Sequence, residues 1–146
     1  MTGRLLSSGV LLRSAVLLVA ASCGARKDMI DRSGEPHMRP AEQGAASAIY
    51  FMLRNPGTDP LVLHGVEVDV AGSVTLHRSM DQNDMSSMTP LDSVIVPPGD
   101  SVPFVERGLH IMASDMHTAL KTGDTVVVRL RFRPARVDTL RVPVRE

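Results

Sequence analysis

Val126-Val127-Val128-Arg129-Leu130-Arg131-Phe132 is the stretch that decides the fold. Val126, Val128, Leu130 and Phe132 fall on one side of an extended chain and Val127, Arg129 and Arg131 on the other, the alternation of a strand with one solvated face. Thr122-Gly123-Asp124 supplies a turn before it, and 137–144 is a second β-rich run after it. Working back, Leu61-Val62-Leu63, 66–70, Val74-Thr75-Leu76 and Ser93-Val94-Ile95-Val96 are further short runs, divided by Ala71-Gly72 and Pro97-Pro98-Gly99-Asp100. Ala46-Ser47-Ala48-Ile49-Tyr50-Phe51-Met52-Leu53 is another, stopped by the turn cluster Asn55-Pro56-Gly57-Thr58-Asp59-Pro60. Short strands at this spacing predict an all-β sandwich or a small Greek-key barrel. The stretch 113–121 reads as one helical turn or a loop.

The N-terminus stands apart from this rhythm. Arg4 and Arg13 flank and interrupt small and apolar residues that end in Ala20-Ala21-Ser22-Cys23, the make-up of an export signal. Arg13 splits the stretch short of the twenty or so apolar residues that a membrane span requires. The small residues before Cys23 resemble a bacterial lipoprotein processing site, with Ala20 where that pattern usually has Leu. That resemblance implies acylation of Cys23; plain signal cleavage is the alternative. The expected organisation is an export signal over 1–22, a polar tether over 23–44 with a short strand near its middle, and a β-domain over 45–146. The expected location is the bacterial envelope or periplasm, with membrane contact only through an N-terminal lipid.

Composition narrows the function. The 146 residues carry 16 basic and 16 acidic side chains, and aromatic residues make up 3% with no Trp. A neutral chain without stacking residues has no footprint for a nucleic acid. Cys23 is the only cysteine and lies in the export region, which excludes a disulfide framework, a thiol redox motif and a Cys nucleophile from the folded part. No nucleophile stands with a base and an orienting group at a recognisable spacing, so the chain is not read as an enzyme.

Methionine is the outlier, with nine in the chain. Met80, Met85, Met88, Met112 and Met116 fall between residues 77 and 117, together with His77, His110 and His117. Buried Met ordinarily fills gaps in a core. The surroundings here, Arg78-Ser79-Met80-Asp81-Gln82-Asn83-Asp84-Met85-Ser86-Ser87-Met88-Thr89-Pro90, read as a polar loop, and thioethers in a polar loop point to a soft metal. A thioether suits Cu(I) far better than Mg, Ca or Mn, and zinc rarely takes one. Where thiolates would be oxidised, a mixed His and Met site is a copper site. His110 and Met112, two apart on an extended segment, present both donors on one face.

The order His77, ten residues, Met88, twenty-one residues, His110, one residue, Met112 is similar to the His and Met pattern of the PCuAC family of periplasmic copper chaperones. Val96-Pro97-Pro98-Gly99, Gly108-Leu109-His110-Ile111-Met112, Leu120-Lys121-Thr122-Gly123-Asp124 and Val142-Pro143-Val144 also resemble that family, as does Ala48-Ile49-Tyr50 with Asn55-Pro56-Gly57. The likeness extends over roughly 45–144. It implies a cupredoxin-like β-barrel that holds one Cu(I) through His77, Met88, His110 and Met112 on loops at the barrel end. It implies as partner a copper acceptor, such as a cytochrome oxidase subunit or another copper carrier. Arg78 after His77, the absence of Gly from 80–87 and the absence of Trp depart from the family.

Each residue also has a plainer role open to it. His77 closes the run Val74-Thr75-Leu76 as a strand-end residue would, and Met88 alone reads as packing. Met85, Met116 and His117 are possible accessory donors or ordinary surface and core residues, and Asp81, Asp84 and Asp115 keep loops soluble. His37-Met38 sits in the tether and is given no site. A blue-copper electron carrier would need a Cys thiolate that the folded part lacks. The alternative to a copper carrier is a metal-free structural or adhesive β-domain of the envelope.

Overall fold

The computed structural model describes residues Ile30–Asp31, 35–82 and 85–146; the export signal 1–22 and the lipidation candidate Cys23 lie outside them. Among the described residues the elements are strands: β1 (Ile30–Asp31), β2 (His37–Met38), β3 (Ser47–Arg54), β4 (Leu61–Val68), β5 (Ala71–Gln82), β6 (Met85–Leu91), β7 (Val94–Val96), β8 (Ser101–Phe104), β9 (Leu109–Met116), β10 (Thr125–Arg133) and β11 (Arg136–Pro143). They form two sheets. One runs β1-β3-β8-β9-β5-β6, with β2 also on β3 and a direct β3–β9 pairing; the other runs β11-β10-β4-β7. The pairings are antiparallel except for a single parallel contact between β8 and β9.

The alternation read from the sequence is what closes the two sheets on one core. Val126, Val128, Leu130 and Phe132 of β10 are each 2% exposed or less, while Arg129 and Arg131 face solvent. From the other sheet Ile49, Phe51 and Leu53 of β3 and Ile111 and Ala113 of β9 enter the same cluster. The rings of Phe51 and Phe104 stack with centroids 4.5 Å apart, joining β3 to β8 through side chains as well as backbone. Each such apolar side chain contributes about 1.5–3 kcal/mol by leaving water. At one end of the core Asn55 ties two turns together. It is buried, its amide donates to the carbonyls of Asp59 (2.7 Å) and Val96 (3.0 Å), and its carbonyl accepts from Gly57 N–H (3.0 Å). Gly99, at φ +73, lets the neighbouring turn close, with its N–H donating to Asn55 O.

Several boundaries differ from the sequence expectation. The tether assigned to 23–44, expected to hold one short strand near its middle, contains two, β1 and β2, both paired to β3, and Met38 is fully buried against the core. One thioether that fits a core gap outweighs the polar residues around it. The expected runs 61–63 and 66–70 are joined in one strand, β4, which ends at Val68. Its bulge opposite Arg131 and Phe132 leaves His64 unmatched. Ala71-Gly72 begins β5 rather than forming a turn, and the reversal falls at Asp69-Val70. The stretch 113–121 holds no helical turn: β9 continues to Met116 because its backbone pairs with β5. In the polar segment read as a loop, 80–82 and 85–87 are paired strand residues of β5 and β6.

Candidate metal centre

Strand register converts the spacing of the four donors into proximity. β5 and β9 pair His77 with His110 and Thr75 with Met112. β5 and β6 pair Ser79 with Met88. Residues opposite one another share a face, as do residues two apart on a strand. His77, Met88, His110 and Met112 therefore lie on one face of three adjacent strands. It is the face away from the core, because the intervening pair Leu76 and Ile111 is buried in the hydrophobic cluster. The donors sit on paired strands rather than on the barrel-end loops expected from the sequence, so the ladder fixes their backbone positions.

The two imidazoles meet edge to face with centroids 5.8 Å apart. With metal–imidazole bonds of about 2 Å, rings at this separation can share one ion. Their surroundings differ. His110 is only 5% exposed, and its Nδ1 lies 3.2 Å from the carbonyl oxygen of Gly108. That oxygen also accepts the N–H of Ser79 (3.0 Å), and the turn is held by Val105 N–H to Leu109 O (2.7 Å) and Gly108 N–H to Val105 O (3.1 Å). His77 places Nε2 3.0 Å from the hydroxyl oxygen of Thr75. Its Nδ1 is buried and, among the described residues, is the side-chain nitrogen or oxygen found buried without a hydrogen-bond partner. A polar atom so placed calls for a ligand or an ion.

The thioethers differ in access. Met88 is 56% exposed on the edge strand β6, whereas Met112 is half-buried between β5 and Ala48 of β3. Pro90, opposite His77, suits an edge strand because it has no N–H to offer an outer neighbour. Among the described residues no three His, Cys, Asp or Glu side chains cluster so as to hold a metal. The donors that share the face of the His pair are the neutral thioethers of Met88 and Met112, a donor set that favours a soft ion.

The expected accessory donors are not brought here. Met116 pairs with Ala71, about 20 Å along β9 from His110 at roughly 3.3 Å per residue. It is 2% exposed and part of the core, since Asp115 at φ 55 breaks the strand alternation just before it. His117 is exposed beyond the end of β9, where its N–H donates to Val70 O (2.8 Å). The backbone of Met85 pairs with Gln82 at the hairpin tip, about 16 Å from His77 along the strand. Thr75 and Gly108, which contact the two imidazoles, are the residues here that sequence reasoning passed over. The alternation Thr75-Leu76-His77 was the available signal for Thr75.

Comparison with known proteins agrees with this architecture. The apo PCuAC domain from PmoF1 superposes with a TM-score of 0.64 at 20% identity, covering 80% of this chain and 91% of that one. The copper-bound PCuAC domain from PmoF2 gives 0.62 at 24% identity, covering 75% and 86%. The solution structure of CuI-DR1885 from Deinococcus radiodurans gives 0.62 at 22% identity, covering 86% and 85%. The fold is thus the cupredoxin-like β-fold of PCuAC domains. A curated relative, "Putative lipoprotein Lxx21020" of Leifsonia xyli subsp. xyli (strain CTCB07), is 26% identical over 101 residues, 68% of this chain. The match spans 61% of that relative's length. The model of the family described as "Putative lipoprotein LpqE-like" matches residues 33–144, and the chain belongs to the LpqE-like family.

Proposed function

We propose that this chain is a copper carrier of the bacterial envelope that holds one Cu(I) through His77, Met88, His110 and Met112. The observation that carries the proposal is the edge-to-face pair His77 and His110, with the buried, unpartnered Nδ1 of His77 and with Met88 and Met112 on the same face of the neighbouring strands. Support comes from the fold shared with domains described as copper-bound and as CuI-loaded. The family description supports a lipoprotein, and acylation at Cys23 would tether the carrier to the membrane.

The site's function is loading and release, with no catalytic step. Rigid strands hold His77, His110 and Met112, and the exposed Met88 is the donor a partner reaches first. Release proceeds by exchange: an incoming donor from the acceptor, such as a cytochrome oxidase subunit or another copper carrier, replaces Met88, and the remaining ligands follow. Because a thioether is neutral, its departure needs no proton.

A Cu(I) competition titration tests this on the full chain carrying Cys23→Ser, which removes the one competing thiol. Tight one-to-one binding lost in both His110→Ala and Met112→Ala is the expected result. Binding that is absent, or indifferent to both substitutions, refutes the proposal and favours a metal-free envelope domain.

A further inference from the structure

We infer that Thr75 is a positioning residue of the metal centre: its hydroxyl holds His77 in the tautomer with the proton on Nε2, leaving the Nδ1 lone pair to bind the metal. His110 is set the opposite way and binds through Nε2. The inference rests on the copper-carrier reading and adds to it the atom by which each imidazole binds.

A neutral imidazole has one N–H and one lone pair. The partner of His110 Nδ1 is the carbonyl oxygen of Gly108 at 3.2 Å, which can only accept, so the proton is on Nδ1 and the lone pair on Nε2. The partner of His77 Nε2 is the hydroxyl of Thr75 at 3.0 Å, which can donate or accept. The other nitrogen decides between these. Nδ1 of His77 is buried with no partner. A proton there would be a buried, unpaired N–H with nothing to receive it. A lone pair there is what a soft cation binds. The arrangement with a use for every atom has Nε2–H donating to Thr75 and the Nδ1 lone pair left for a metal.

Placement supports the same conclusion. Thr75 lies two residues before His77 on the same face of β5, opposite Met112, so its hydroxyl stands inside the donor set. The residue is itself exposed and takes no part in the core cluster. The two orienting groups come from different places, a side chain on β5 and a backbone carbonyl in the turn before β9. Each fixes which nitrogen of its ring is free, as the outer partner of a metal-binding histidine does.

The test is nitrogen-15 NMR of histidine side chains in the full chain with Cys23→Ser, before and after anaerobic addition of Cu(I). Metal-free protein should show His77 as the Nε2–H tautomer and His110 as the Nδ1–H tautomer, and Cu(I) should shift Nδ1 of His77 and Nε2 of His110. Thr75→Val should spread His77 over both tautomers and weaken Cu(I) binding about 10-fold or more, with the unfolding temperature unchanged. Thr75→Ser should restore both. A resting Nδ1–H tautomer at His77, a copper shift at its Nε2, or a tautomer untouched by Thr75→Val overturns the inference. Expected tautomers in a protein that binds no Cu(I) would instead overturn the copper-carrier reading while leaving the Thr75 contact in place.

Discussion

The turn before His110 leaves little room at Gly108. A Cβ built on Gly108 would lie 3.0 Å from Cγ2 of Val105 and 3.6 Å from its carbonyl oxygen, inside the turn that presents the Gly108 carbonyl to the ring. Gly108→Ala requires Val105 or the turn to give by a few tenths of an ångström, and a shift of the turn weakens the contact that orients His110. The expected result is a Cu(I) affinity lower by about 10-fold or more, as for other lost ligand-orienting groups. A competition titration beside a thermal melt checks this, because the effect on affinity should exceed what a slight loss of stability explains. The proposed copper ligands differ in their burial. Met88 is 56% exposed, so its truncation removes a donor without opening a cavity, whereas His110 is only 5% exposed.

At the scale of elements, β9 carries two proposed copper ligands on one face and core packing on the other. Ile111 is fully buried between His110 and Met112 in sequence. Ile111→Ala should destabilise the fold by about 2–5 kcal/mol, read from a denaturant melt, while both flanking ligands remain on their strand. Asn55→Ala should cost about 1–3 kcal/mol by leaving buried groups without partners, although the residue lies in a turn and touches no ligand. The strands were legible where one face is wet and the other dry, as in β10 with Arg129 and Arg131 between buried neighbours. They were not where both faces carry polar residues, as in the outer part of β5–β6, because alternation vanishes once a hairpin passes the edge of the core. Met38 was hidden for the opposite reason, one buried side chain among exposed ones. The pair His110 and Met112 was readable from two-residue spacing alone. That His77 stands opposite His110 depends on long-range register, which spacing along the chain does not contain.

For the molecule as a whole, stability should fall on the alkaline side in a way traceable to one group. Burial, opposed by Arg39 and assisted by Glu106, raises the pKa of Tyr50 above its ordinary value of 10.0. The folded state then holds the phenol proton more tightly than the unfolded chain does. This contribution is fully present below the ordinary phenol range and is lost as pH rises through the folded-state value. Denaturant melts across that range should show the decline, and Tyr50→Phe should flatten it. Because Tyr50 is the only tyrosine, its phenolate absorbance reports the folded-state titration directly.

The central claim is that one face of this β-fold brings two imidazoles and two thioethers to a single copper ion. X-ray absorption at the copper edge of the Cu(I)-loaded chain with Cys23→Ser measures that shell directly. The account predicts a single Cu(I) environment with both imidazole nitrogen and thioether sulfur scatterers, and with the sulfur contribution reduced in Met88→Ala and Met112→Ala. A shell of nitrogen and oxygen alone, or one unchanged by both substitutions, would contradict it.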